Sequence, residues 1–65
     1  MENEIIFTLR NIQEQVDQAL LDAVKFDNGN NSAGTRVRKA MQAVKQLAQD
    51  IRLEVQEQKN KSIKY

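Results

Sequence analysis

Gly29-Asn30-Asn31-Ser32-Ala33-Gly34-Thr35-Arg36-Val37-Arg38-Lys39 decides the fold, because it joins two halves that each repeat apolar residues at heptad spacing. In the first half Ile5, Leu9, Ile12, Val16, Ala19, Ala23 and Phe26 step by 4, 3, 4, 3, 4 and 3. In the second, Val37, Ala40, Val44, Leu47 and Ile51 step by 3, 4, 3 and 4, and no proline interrupts either half. This spacing keeps one face of a helix apolar over many turns and predicts a coiled-coil seam on each arm. Gly29 suits the left-handed residue that closes a helix, and Asn30 or Asn31 suits the cap of the next. The expected architecture is all-α: one helical-hairpin domain over residues 1–65, with helix 1 at about 4–26, a turn at 27–30, helix 2 at about 31–59 and a short basic tail at 60–65. A turn this short forces the two arms antiparallel.

Antiparallel alignment of the seams puts Leu9 near Leu47, Ile12 near Val44, Val16 near Ala40 and Ala19 near Val37. One such pair has a thin core. A second set of apolar positions flanks the seam on one side, Ile6 and Leu20 on helix 1 and Met41, Ala48 and Val55 on helix 2. Exposed contiguous apolar surface marks an interface, so a homodimer or higher oligomer is expected, with two hairpins meeting on this face as a four-helix bundle. Gly34 has two readings. Either helix 2 starts at Asn31 and Gly34 lets a partner backbone or a phosphate come close, or the helix starts at Thr35 and Gly34 belongs to the loop.

Sixty-five residues with no Cys and no His make a small core that disulfides and zinc cannot reinforce, leaving self-association as the source of further buried surface. The same absences remove thiol nucleophiles and most metal ligands. The two glycines form no phosphate-cradling loop, and the carboxylates of helix 1 are spread over several faces. The sequence therefore predicts no enzyme, no metal and no cofactor. The Met-Glu-Asn-Glu start lacks the basic residues of a signal peptide, and no apolar run approaches the ~18 residues of a membrane span, so a soluble cytoplasmic protein is expected.

The net charge of +1 conceals a division between the halves. Residues 1–33 carry Arg10 and Lys25 against Glu2, Glu4, Glu14, Asp17, Asp22 and Asp27, and residues 34–65 carry eight basic side chains against Asp50, Glu54 and Glu57, giving −4 and +5. Arg36 to Gln49 contains no acid, while Arg36, Arg38, Lys39 and Lys45 provide a local positive field that attracts polyanions. Thr35, Arg36, Arg38 and Lys39 also fall near a helix N-terminus, whose free N–H groups favour an anion. Arg38, Lys45, Arg52 and Lys59 recur every seven residues as one outer stripe, beside a row of Gln42, Gln49 and Gln56. The plainer alternative is a solvated coiled-coil face in which basic residues merely neutralise the acidic arm, for example through an Asp22–Arg36 pair.

The short Gly-Asn turn, Thr35-Arg36-Val37-Arg38-Lys39 and the helical Lys45-Gln46-Leu47-Ala48-Gln49-Asp50-Ile51-Arg52 resemble the bacterial linker-histone-like nucleoproteins, named for a chlamydial DNA-condensing protein and with short Bacteroides-group relatives that lack its basic tail. The resemblance is best over residues 29–59. It implies a DNA-associated, nucleoid-type protein in the cytoplasm, with Arg36, Arg38 and Lys39 on the basic part of the motif. The expected function is thus architectural, contacting DNA phosphates without sequence preference through Thr35, Arg36, Arg38, Lys39, Lys45 and Arg52. The alternative is a helical protein-interaction module with no nucleic-acid role.

Overall fold

The computed structural model describes residues 4–62, which form two α-helices, α1 (Glu4–Asp27) and α2 (Asn31–Ser62), packed antiparallel as a hairpin of 58 × 21 × 11 Å. Helix α2 runs three residues beyond the expected end at Lys59, since nothing in Asn60-Lys61-Ser62 breaks a helix and Lys61 lies 4.0 Å from Glu57 one turn back. The rest of the expected tail, residues 63–65, lies outside the described residues.

The turn is a hydrogen-bonded helix stop followed at once by a helix start. Asn30 N–H donates to the Lys25 carbonyl and Gly29 N–H to the Phe26 carbonyl, both at 3.0 Å, the paired bonds of a Schellman motif. Gly29 has φ of 101°, which a residue with a Cβ adopts only at a cost. Asn30 then caps α2, its Oδ1 accepting from Ala33 N–H at 3.2 Å.

The two arms meet on small side chains. Among the described residues only Ala19 and Ala33 are buried, and no large side chain is fully enclosed. On α2 the expected seam holds, with Val37, Ala40, Val44, Leu47 and Ile51 all half-buried. On α1 it holds only in part: Ile5, Ile12, Ala19 and Ala23 turn inward, but Leu9 is 47%, Val16 45% and Phe26 52% exposed, and Thr8, Asn11, Gln15 and Asp22 lie on the inward side. Helix α1 is thus rotated about its own axis away from the orientation that would aim its whole heptad at α2. Ala19 permits close approach on that side, and Asp22 reaches across to Arg36.

Gly34 lies inside α2, as the first of its two readings has it, and the group that approaches it is the chain's own Phe26. A Cβ added there would stand 2.6 Å from both Cδ1 and Cε1 of the Phe26 ring. Alanine at this position gains about 1 kcal/mol of helix propensity but displaces a half-exposed ring from its seat. Gly34→Ala is therefore expected to change stability little on its own, and to stabilise by about 1 kcal/mol when introduced into Phe26→Ala, where the ring is gone. A urea-unfolding double-mutant cycle measures the difference; equal effects in both backgrounds would mean that the ring does not constrain this position.

Candidate nucleic-acid interface

The basic residues of α2 divide by rotational position, since each residue turns the helix by 100°. Arg36 projects toward α1. Its Nε donates to Asp22 Oδ1 at 2.9 Å, an intramolecular ion pair that offsets part of its charge while the side chain stays 47% exposed, as the plainer reading of the sequence allowed. Arg38 lies roughly 200° around the helix from Arg36, so the cluster near the turn is not one surface. The N–H of Ala33 in the first turn is already capped by Asn30.

What the fold does assemble is the outer face of α2. Thr35, Arg38, Lys39 and Gln42 line one shallow groove, and Gln42, Lys45, Gln46, Ala48, Gln49 and Arg52 line the next, with Gln42 common to both. The result is a continuous ridge from Thr35 to Arg52, about 26 Å long at the helical rise. Apart from Ala48 every one of these residues is polar or basic, and all are exposed. Asp50, the one acid in the chain between Thr35 and Arg52, accepts a hydrogen bond from Gln46 Nε2 at 3.1 Å. Lys59 continues the heptad stripe beyond the ridge, and Gln56, in the neutral row, is bonded to Asn60 at 3.3 Å.

Of the six residues expected to contact DNA, five (Thr35, Arg38, Lys39, Lys45 and Arg52) thus lie on this ridge, while Arg36 is turned to Asp22. Gln46 was not among the expected residues. Its signal was its spacing, four residues after Gln42 and seven after Lys39. The five positions expected at an interface, Ile6, Leu20, Met41, Ala48 and Val55, are all exposed on the single hairpin, Leu20 most of the large ones at 63%.

A profile of the histone H1-like protein Hc1 family matches residues 7–61, which takes in both helices and the whole ridge. The chain belongs to the histone H1-like protein Hc1 family. That membership supports a DNA-binding, nucleoid-type protein in a family that packages DNA rather than catalysing reactions. No curated protein and no solved structure gives a significant match. Among the described residues no helix is long and apolar enough to cross a membrane, and no three potential ligands come together to hold a metal ion.

Proposed function

We propose that this Hc1-family protein acts architecturally, binding DNA phosphates along the outer face of α2 without reading base sequence. The ridge from Thr35 to Arg52 carries the proposal: four basic side chains, Arg38, Lys39, Lys45 and Arg52, stand on one exposed, extended surface with glutamine amides between them. Its length of about 26 Å spans many phosphates of a duplex, which presents one charge per ~1.7 Å of axis. A small metabolite would use little of it. Lysine and arginine supply charge, while Gln42, Gln46 and Gln49 donate neutral hydrogen bonds to phosphate oxygens; such contacts position a protein on DNA without specifying sequence. Rigid helical backbone holds the groups at fixed spacing, so binding orders side chains but no main chain.

Titration of unrelated duplexes of equal length against increasing salt tests this reading. Affinity should fall linearly on a log–log scale with a slope of about −0.9 per phosphate neutralised, and should be the same for each sequence within a few-fold. A salt-independent response, or no binding at low salt, would favour the interaction-module alternative, in which the ridge is only solvated surface.

A further inference from the structure

At the turn the basic ridge ends on an aromatic ring. Phe26, the last apolar residue of α1, reaches across the start of α2 and lies over Gly34, where an added Cβ would stand 2.6 Å from Cδ1 and Cε1 and 3.3 Å from Cγ. One edge of the ring is thus held against α2, while the residue as a whole is 52% exposed. The glycine is what allows this seat, since any side chain there would lift the ring off the helix.

Around the ring lies a cleft of about 390 Å³, lined by Phe26, Asn31, Gly34, Thr35, Val37 and Arg38. Its volume is at the lower end of the ~300–1,000 Å³ of small-ligand clefts, so it admits one flat ring rather than a helix or strand of a partner protein. None of the lining residues is acidic, and the three polar ones, Asn31, Thr35 and Arg38, are exposed.

The cleft is continuous with the ridge. Thr35 and Arg38 line both it and the first groove of the ridge. In 100° steps around α2, Gly34 lies roughly 40° to one side of Arg38 and Thr35 roughly 60° to the other, so the seat of the ring and the head of the ridge share one side of the helix. A DNA strand whose phosphates lie along the ridge therefore meets, at the turn, an aromatic surface beside a cation. In an intact duplex the base faces are closed by stacking on their neighbours, whereas an unpaired base has both faces free. Every base has a π-face, so stacking of this kind adds affinity without sequence preference. Because the ring is seated in advance, little further ordering is needed when a base arrives.

We propose that the cleft at the turn, Phe26 over Gly34 with Thr35 and Arg38 beside it, is a stacking site for an unpaired nucleobase of DNA bound on the α2 ridge. The site rests on the phosphate-binding reading of the ridge and extends it: the protein distinguishes a strand with free bases from one that offers phosphates alone, and so holds locally opened DNA as well as coating duplex.

Two single strands of about sixteen units test this, oligothymidylate and its abasic counterpart, which carry the same phosphates and differ only in the groups that stack. Fluorescence-anisotropy titration of the full chain should show binding to both, with one salt slope of about −0.7 per phosphate neutralised and an affinity about ten-fold higher for the thymidine strand. Phe26→Leu keeps the residue apolar but removes the flat ring; it should abolish the difference and leave affinity for the abasic strand unchanged. Phe26→Tyr should retain the difference. The comparison of the two strands on the parent needs no variant: equal affinity would overturn the site, assign the cleft to another occupant such as a second copy, and leave the ridge reading intact. Binding to duplex but to neither single strand would do the same, whereas binding to no DNA at all would overturn the ridge reading and this site with it. A ten-fold preference that survives in Phe26→Leu would place the stacking surface elsewhere and overturn the proposal.

Discussion

Replacing Arg38, Lys39, Lys45 and Arg52 together by alanine should weaken binding to duplex DNA on the order of a hundred-fold or more at low salt, and should flatten the log–log salt dependence by about 3.6 for each chain bound. The two effects belong together, because each lost phosphate contact removes both an attraction and the counterions it released. All four positions are exposed and alanine is the best helix former, so helix content should be unchanged by circular dichroism. Arg36→Gln provides the contrast. Its guanidinium is turned to Asp22 at 2.9 Å, off the ridge, so its loss should cost at most a few-fold in affinity and within about 1 kcal/mol of stability for a partly exposed ion pair. Arg36 and Arg38, two residues apart in the same motif, are thereby expected to differ by more than Arg38 does from a distant member of the ridge such as Arg52. Gel-shift titrations at several salt concentrations measure all of this, and an unchanged slope in the fourfold variant would move the binding surface off α2.

Ala19→Glu should have the largest effect on stability. Ala19 is 6% exposed at the contact of the two arms, and a glutamate there must either carry an uncompensated charge into the seam or push the helices apart. Either outcome costs about 3 kcal/mol or more, which for a domain of this size lowers the melting temperature by well over 10 °C. Gln18→Glu adds the same side chain one residue earlier, on exposed surface, and is expected to stay within about 0.5 kcal/mol of the parent. Thermal melts followed by circular dichroism at one fixed protein concentration compare the pair. The comparison is informative because so little else is buried: with only Ala19 and Ala33 enclosed among the described residues, the hairpin has few other contacts to absorb the disruption.

The same scarcity explains which features were legible in the sequence. Both helices, the antiparallel turn and its chemistry followed from short-range signals: heptad spacing, the lack of proline, Gly29 at a left-handed position and Asn30 or Asn31 as a cap, of which the structure uses Asn30. These depend on residues within one turn of one another, so each segment specifies them by itself. The ridge was legible in part, because residues seven apart share a helical face whatever lies opposite. Arg36 was expected in the basic cluster, with an Asp22–Arg36 pair as the plainer alternative, and the approach of α1 decided for the pair across fourteen residues.

The rotation of α1 was decided by tertiary structure alone. A heptad states that Leu9 and Val16 share a stripe with Ile5, Ile12 and Ala19, and it says nothing about which neighbour that stripe faces. Packing on the small Ala19 and the reach of Asp22 to Arg36 turned Leu9 and Val16 outward, at 47% and 45% exposure, and drew Thr8 and Gln15 in. Gly34 has the same lesson: its presence in a helix was visible as a cost, but the Phe26 ring that occupies the space became visible only once the chain had folded back on itself. Local hydrogen bonding and residue spacing are fixed by order along the chain, whereas the aim of a helical face depends on what arrives from a distant part of it.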